Sequence, residues 1–258
     1  MHAFGIVGAG ADRAADRVLE ALDGRAGLVR RAGGDGGVQR ARAATEYELG
    51  EGWRASGDGL SLRDALDRLA PDHDYAVAVG FPEAGIPQIA LGEADPDEAV
   101  HRTNHVDALD VDAALDVIED QEPYETLESL VATVKRSPDA DRAGAIATFT
   151  GRVRAKDHPD DERTEYLEFE KYEGVAERRM REIETDLSDR DGVRDVRLHH
   201  RTGVVEAGED IVFVVVLAGH RNEAFRTVED GINRLKDEVP LFKKEVTTDE
   251  TFWVHERE

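Results

Sequence analysis

The order of strand-like and helix-like segments changes near residue 120, and this change is what most restricts the fold. Up to residue 92, short apolar runs alternate with segments of helical spacing, from AFGIVG and ADRAADRVLEALDG to LSLRDALDRLA and YAVAVGF. Such alternation predicts an α/β domain over residues 1–92 with a largely parallel sheet. Ser61 is the predicted N-cap of the helix over LSLRDALDRLA. The segment 93–119 is rich in Asp, Glu, His and Ala, lacks a long apolar stripe and is predicted to be an acidic linker.

Residues 120–258 combine helices and strands in another order, which predicts an α+β domain. The helical patterns are YETLESLVATVKR, VAERRMREIETDL and NEAFRTVEDGINRLKDEV. In the second of these, Ala176, Met180, Ile183 and Leu187 share one face. The strand patterns are AGAIATFTGRVR, TEYLEFEKY, DVRLHHRTG, DIVFVVVL, LFKKEVT and TFWVHE, and the turn VEAGE is predicted to join the third to the fourth.

Acidic residues outnumber basic residues by 57 to 33, which gives a net charge of −24. Such a surface repels nucleic acid and anionic lipid, and it makes any local basic cluster stand out as a candidate anion site. Only six of the basic residues are lysine. Abundant Asp and Glu with scarce lysine favour a halophilic protein that stays soluble in a high-salt cytoplasm, where salt screens the self-repulsion.

The chain contains no cysteine, which excludes disulfides, thiolate zinc sites, iron–sulfur ligation and a persulfide on the chain itself. No apolar run reaches about 18 residues, and the N-terminus lacks a basic region followed by an apolar one. We therefore expect a cytoplasmic protein without a membrane span. The nine histidines form no metal-binding motif, since His199 and His200, adjacent on a predicted strand, point to opposite faces.

The glycines Gly5, Gly8 and Gly10 lie where a phosphate-binding loop would connect a strand to a helix. A P-loop that starts at Gly5 requires a lysine and a hydroxyl residue after Gly10, and the chain has Ala11 and Asp12 there. The dinucleotide pattern G-x-G-x-x-G fails as well, because arginine occupies its third glycine position. The sequence therefore predicts a structural turn without nucleotide chemistry.

This half of the chain nevertheless resembles the GTP-binding B-type protein of molybdopterin-guanine dinucleotide biosynthesis. The resemblance rests on FGIVGAG at the start and on DHDYAVAVGFPEAGIPQIAL at 72–91. The chain departs from that family at the P-loop lysine and hydroxyl residue, and at Val79, where the family has an acidic residue before Gly-Phe. The resemblance implies a degenerate, P-loop-like domain that does not hydrolyse nucleotide.

Three of the six lysines, Lys236, Lys243 and Lys244, lie within nine positions near the C-terminus. On a wheel of the last predicted helix, Lys236 lies about 20° from Phe225 and beside Ile232. It is therefore predicted at the rim of the apolar stripe of that helix.

Two interpretations of this lysine cluster follow from the residues. In the first, Lys236 packs its stem on apolar neighbours and keeps its ammonium in water. In the second, it is a functional amine, because clustered cations, here with His220 and Arg221 at the helix start, lower the pKa of a lysine toward the range useful for proton transfer or nucleophilic attack.

A second basic group lies in the strand pattern TFTGRVR. Alternation places Arg152 and Arg154 on one side and Phe149 on the other, unless Gly151 introduces a bulge. Paired arginines suit a phosphate or a carboxylate. They suit ion pairs with the abundant acidic residues of the chain equally well, and the two residues alone leave both interpretations open.

From residue 120 to residue 258, an ordered set of motifs resembles the large, catalytic subunit of molybdopterin synthase: FTGRVR, LEFEKYEGVAE, HHRTGVVEAGEDIVFVVVLAGHRNEAF, LKDEVPLFKKE and TFWVHERE. That family implies a sulfur transfer that needs no metal or organic cofactor. A small ubiquitin-like partner carries a thiocarboxylate on its C-terminal Gly-Gly and inserts this tail into a pocket of the large subunit. Sulfur passes, in two rounds, to cyclic pyranopterin monophosphate and forms the dithiolene of molybdopterin. The family also implies a homodimer of large subunits within a heterotetramer.

The resemblance assigns roles to residues by their positions in these motifs. Lys236 matches the catalytic lysine before the proline, and Lys243 matches the second lysine, in the Pro-x-x-Lys segment. Arg154, His220 and Arg221 match pocket residues suited to the phosphate of the substrate and the carboxyl terminus of the partner. The remaining matched positions are Phe149, Arg152, Lys244, Glu245 and, as a pocket-lining residue, Ile232.

Two other functions compete with this one. In the first, both halves form a non-catalytic adapter that recruits molybdenum-cofactor enzymes, with the acidic N-terminal domain as a docking surface. In the second, the chain is an active nucleotide-binding protein with an appended module. The missing P-loop lysine argues against the second, and a titration without tight GTP binding would exclude it. An assay for molybdopterin, supplied with thiocarboxylated partner and pyranopterin precursor, separates the enzyme from the adapter.

Overall fold

A computed structural model describes residues 1–32, 44–156, 158–172 and 174–247 and the backbone of residues 251–254. The chain divides into two compact units, Met1–Glu125 and Thr126–Glu258. No helix within the described ranges is long and apolar enough to cross a membrane.

The first unit is built on a five-stranded parallel sheet. Its strands and helices are β1 His2–Gly8, α1 Ala11–Ala21, β2 Ala26–Arg30, α2 Leu62–Leu69, β5 Tyr75–Val79, β6 Gln88–Leu91, β7 Ala99–Thr103 and α3 Val111–Glu119, and a separate antiparallel ribbon pairs β3 Thr45–Leu49 with β4 Trp53–Gly57. The order β2-β5-β1-β6-β7 places β1 in the centre, and every pairing is parallel. The predicted α/β class with a parallel sheet is confirmed.

Helices cover both faces of this sheet, which is why its central strands are apolar along their whole length. The helices α1 and α3 pack on the face that carries Phe4 and Ile6, and α2 packs on the opposite face through Leu66. The predicted cap of α2 is confirmed: the Ser61 hydroxyl accepts a hydrogen bond from the Asp64 N–H at 3.1 Å, and the Asp64 carboxylate accepts one from the Ser61 N–H at 2.9 Å.

The segment 93–119, predicted as an acidic linker, is instead part of the first unit. It supplies the edge strand β7 and the helix α3, whose N-cap Asp110 accepts a hydrogen bond from the third helical N–H at 3.2 Å. Ala114, Leu115 and Ile118 of α3 are buried in the core shared with α1. Only these three positions of a nine-residue helix are buried, so the surrounding Asp and Glu residues obscured the stripe.

Within its described residues, the second unit contains two antiparallel sheets and three α-helices. These elements are α4 Leu127–Lys135, β8 Ala145–Arg152, β9 Thr164–Lys171, α5 Val175–Ser188, β10 Val193–His200, β11 Gly203–Glu206, β12 Asp210–Ala218, α6 Arg221–Glu238, β13 Leu241–Thr247 and β14 Thr251–Val254. One sheet has the order β10-β12-β8 and the other the order β11-β9-β13-β14. Alternate residues of β12 pack against α4 on one face and against α5 and α6 on the other. The predicted α+β class is confirmed.

The chain between β10 and β12 is more than the predicted turn VEAGE. The first two residues of VEAGE, Val205 and Glu206, belong to β11, which pairs with β9 of the other sheet. Val205 is fully buried in a cluster with Leu167 and Phe169. The segment between β10 and β12 therefore connects the two sheets, and the pattern of turn residues alone does not predict this connection.

Candidate active site

The helix α6 carries the first candidate catalytic lysine, and its buried face is displaced from the predicted one. Phe225, the reference point of the predicted stripe, is 66% exposed. The small residue Gly231 is buried instead, because α6 approaches β12 so closely that a Cβ there would lie 2.9 Å from the Val214 Cγ1 atom. Lys236 is exposed and borders this face on the same side as Phe225, beside the buried Ile232.

Two apolar clusters adjoin at the beginning of β13. Leu241, like Phe149, packs against the buried cluster that contains Ile232. Two residues later, Lys243 lies opposite Phe169 of β9, which belongs to a separate buried cluster. Opposite residues of an antiparallel ladder share a face, so the partly buried Lys243 lies on the Phe169 side of the sheet. We call this place, bounded by Leu241, Lys243 and Phe169, the seam.

Lys244 and Glu245 make contacts within the chain. Lys244 lies on the opposite face from Lys243, and its Nζ atom donates a hydrogen bond to Glu168 at 2.8 Å. This hydrogen bond and the charge of Glu168 raise the pKa of Lys244. Glu245 returns to the face of Lys243, where it accepts a hydrogen bond from the Thr164 hydroxyl at 2.5 Å. Both residues hold β13 in register against β9.

The two candidate arginines at the end of β8 are both exposed. The Nε atom of Arg152 lies 3.2 Å from the Asp210 carboxylate, and Arg152 also donates to a backbone carbonyl of the loop before β12. Arg154 is exposed, and Val153 between them is buried, so alternation places both arginines on one side as predicted. A bulge does occur beside Gly151, but its extra residue lies on the facing strand β12.

The remaining candidate cations lie at the other end of α6. His220 is the N-cap of the helix and Arg221 its first residue, and both are exposed. Because an α-helix rises 1.5 Å per residue, about 22 Å of helix axis separates Arg221 from Lys236. Within one chain, the structure therefore does not bring this pair together with the lysine cluster.

One lysine near the seam was missed by the sequence analysis. Lys171 is only 7% exposed, and its Nζ atom lies 3.1 Å from the Glu177 carboxylate. It lies opposite Leu241 on β13, which makes it a diagonal neighbour of Lys243 on the same face. With Lys236 and Lys244, four of the six lysines of the chain lie on α6, β9 and β13. The scarcity of lysine in the chain is the signal that could have identified this residue.

Two buried histidines flank the same region. His199 stacks on Phe213 with 6.2 Å between ring centroids, and His200 contacts Phe169 edge-on at 4.8 Å, which agrees with the prediction that they face opposite sides. Burial is the largest cause that lowers the pKa of His199 to about 3 and that of His200 to about 4, and the positive charge of Lys171 contributes to both shifts. In the part of the chain that the structure describes, no three His, Asp or Glu side chains are grouped to hold a metal ion.

We expect the free energy of unfolding to decrease as the pH falls from about 7 to about 5. Unfolded histidine binds a proton near pH 6.5, whereas folded His200 binds one only near pH 4. The unfolded state therefore binds more protons in this window, which costs the folded state about 2 kcal/mol for each buried histidine. Denaturant unfolding at several pH values measures the slope. His200→Gln should have a smaller slope of unfolding free energy against pH than wild type. His158→Gln, which replaces an exposed histidine, should have the wild-type slope. Equal slopes in wild type and His200→Gln would contradict the prediction.

In the first unit, the three glycines of the predicted loop each meet a packing or backbone requirement. A Cβ at Gly5 would lie 2.0 Å from the buried Gln88 Oε1 atom, and one at Gly8 would lie 2.1 Å from the carbonyl oxygen of Leu91. Gly8 and Gly10 have φ of +104° and +88°, which disfavour other residues, and Gly10 is the N-cap of α1. These requirements explain the glycines without a bound phosphate.

Known proteins match the second unit in particular. The MoaE protein family matches residues 120–238. The "Molybdopterin synthase catalytic subunit" of Pyrococcus abyssi is 35% identical over 128 residues, which cover 50% of this chain and 82% of that protein. The X-ray structure of molybdopterin synthase from Staphylococcus aureus is 30% identical, covers 52% of this chain and 93% of its own, and superposes with a TM-score of 0.46.

One relative matches both units. The "Probable molybdopterin synthase" of Haloferax volcanii is 52% identical over 269 aligned residues, which cover 100% of both chains. Its identity is well above 30%, and it is matched over its full length. The chain therefore belongs to the MoaE family of molybdopterin synthase catalytic subunits, which transfer sulfur in molybdenum cofactor biosynthesis.

Proposed function

We propose that the chain acts in the cytoplasm and transfers sulfur from the thiocarboxylated C-terminus of a small ubiquitin-like partner to cyclic pyranopterin monophosphate. The observation that carries this proposal is the placement of Lys236 and Lys243 on consecutive elements, α6 and β13, with Lys243 at the apolar seam, in a member of the MoaE family. Both reactants are anionic, so the site needs cations. The chain has no cysteine, so the sulfur has to arrive on the partner.

The two lysines suit the proton and charge changes of each round. The thiocarboxylate sulfur forms a bond to a carbon of the precursor as a carbon–oxygen bond at this carbon breaks and the departing oxygen takes up a proton. Water then cleaves the bond between this sulfur and the acyl group of the partner. The sulfur stays on the precursor, and the partner leaves with an ordinary carboxylate. An amine near these atoms exchanges protons with the intermediates and neutralises their negative charge. Lys236, which is exposed, and Lys243, at the seam, supply two such amines.

We assign two kinds of role to the substrate-binding candidates. Arg154 matches a pocket residue of the family and is exposed, so we assign it to the phosphate of the precursor. Arg152 is ion-paired with Asp210, and Lys244 is hydrogen-bonded to Glu168. We infer that these two residues support β8 and β13 in place of contacting the substrate.

We further propose that two copies of the chain complete each site. About 22 Å of helix axis separates Arg221 from Lys236, which is too far for both side chains to contact one phosphate group. A symmetric homodimer solves this problem if His220 and Arg221 of one copy reach the lysines of the other. One small partner on each copy then gives the heterotetramer.

For the first unit we propose a degenerate relative of the GTP-binding B-type protein, without hydrolysis. The packing requirements of the three glycines support this assignment. In addition, arginines near the carboxyl ends of β1, β2 and β5 already have carboxylate partners, so an incoming phosphate would have to displace these carboxylates. These ion pairs are Arg13–Asp107 at 2.6 Å, Arg30–Asp12 at 2.9 Å, Arg30–Asp16 at 3.2 Å and Arg31–Glu83. The GTP titration described above tests this assignment.

A reconstituted assay tests the proposed function. The full chain is mixed with thiocarboxylated partner and pyranopterin precursor, and molybdopterin is measured. We expect product in proportion to the thiocarboxylate supplied, and none from a partner that carries an ordinary carboxylate. If the partner binds but no molybdopterin forms, the enzyme is excluded and the adapter is favoured.

A further inference from the structure

Lys171 is a charged residue in a place where the fold does not require one. Its side chain is 7% exposed and ion-paired with Glu177 near the start of α5. Lysine is almost never buried without a partner, and replacing a buried ion pair by apolar residues of similar volume is often neutral or stabilising. In a chain with six lysines, a buried one therefore suggests a use for its charge.

The β9–β13 ladder places this charge beside the seam, on the same face of the sheet. Lys171 pairs with Leu241, and Phe169 pairs with Lys243, so the two lysines are diagonal neighbours separated by roughly 7–8 Å. His200, which contacts Phe169 edge-on, has its pKa lowered in part by Lys171. The electric field of Lys171 therefore extends across the face of the sheet that carries Lys243.

Burial decides how salt acts on this charge. In about 1 M salt the Debye length is about 3 Å, so exposed cations such as Lys236 and Arg154 attract an anion only at close contact. Lys171 is shielded from the solvent ions, whereas its partner Glu177 is 39% exposed and is screened more strongly. A pair with one buried cation and one exposed anion leaves a positive field at the seam even in concentrated salt.

We propose that Lys171 is a positioning residue, whose buried charge holds the anionic reactants at the seam beside Lys243 and preserves this attraction in high salt. The inference rests on the proposed sulfur transfer at Lys236 and Lys243. Lys171 contacts neither reactant. Lys171 acts on the reactants only through its electric field, over the distance occupied by Phe169.

The two members of the ion pair provide matched variants. Lys171→Met and Glu177→Gln break the same ion pair but remove opposite charges. We expect Lys171→Met to raise the KM for the precursor about fivefold, with a similar factor at about 0.2 M and about 2 M KCl and kcat within about twofold. Glu177→Gln should leave the KM unchanged or lower it, and Lys171→Arg should restore the wild-type KM to within about twofold. Lys171→Gln serves as a second neutral variant if Lys171→Met does not fold.

Controls separate this role from a structural one. Arg226→Gln removes one exposed positive charge of α6. It should leave the KM unchanged in about 2 M KCl, because salt at this concentration screens exposed charges strongly. An equal rise in KM in Lys171→Met and Glu177→Gln would mean that the pair only anchors α5, and would overturn the proposal. So would an effect of Lys171→Met that disappears in high salt. Wild-type turnover is measured first, so that a failure of the proposed sulfur transfer is seen separately as absence of turnover.

Discussion

Lys236→Ala is expected to lower molybdopterin formation about 100-fold or more, which is the usual contribution of a proton-transferring side chain. The amine lies in the last turn of α6, at the edge of the buried face and beside Ile232. Because Lys236 is exposed, its removal leaves no cavity, and the free energy of unfolding should change by less than about 0.5 kcal/mol. Single-turnover product formation, thermal unfolding and partner binding are measured on the same preparation.

Two further variants show what the amine does. Lys236→Arg keeps the positive charge but cannot give up its proton, so it should remain as impaired as the alanine variant if proton transfer is the role. Lys243→Ala should be slower than wild type but keep some turnover, because it removes a charge at the seam and leaves Lys236 in place. Full activity of Lys236→Ala, with partner binding intact, would remove this residue from the mechanism.

Mixing two inactive variants is expected to restore activity. If each site takes Lys236 from one copy and Arg221 from the other, Lys236→Ala and Arg221→Ala homodimers have no complete site. In an equal mixture that has exchanged subunits, half of the dimers are mixed and each has one intact site, so activity should recover to about a quarter of the wild-type value. The assay follows molybdopterin formation before and after subunit exchange.

The controls for this experiment are the variants themselves. Each homodimer alone, taken through the same exchange procedure, should stay inactive, and a mixture of Lys236→Ala with Lys243→Ala should recover nothing beyond the activity of its components, because both lysines belong to one copy. No recovery in the Lys236→Ala and Arg221→Ala mixture after confirmed exchange would contradict the shared site. High activity of Arg221→Ala alone would remove Arg221 from it.

The parts of the site that depend on local periodicity could be predicted from the sequence. The bounds of α6, the strand that carries Lys243 and the opposite directions of His199 and His200 follow from repeats of 3.6 and 2 residues. Phe225 shows where this reasoning fails. An apolar side chain was assumed to face the core, but the close approach of α6 to β12 selects the small Gly231 for that place.

Pairings between distant segments could not be predicted in this way. Lys171 lies next to Lys243 only because β9 pairs with β13 in one register, which joins residues 70 or more positions apart. The assignment of 93–119 failed for a related reason: the acidic segment contributes a strand and a helix whose few apolar positions are completed by a core formed elsewhere in the chain. Composition describes a segment, whereas burial depends on its neighbours.

Strand alignment determines which lysine of the doublet Lys243-Lys244 lies beside Phe169. Successive residues of β13 face opposite sides, so a slip of a single position would turn Lys243 away from Phe169 and put Lys244 in its place. The hydrogen bonds of Lys244 to Glu168 and of Glu245 to Thr164 act against such a slip. These two contacts, neither of which involves Lys243, therefore determine which of two chemically identical side chains faces Phe169.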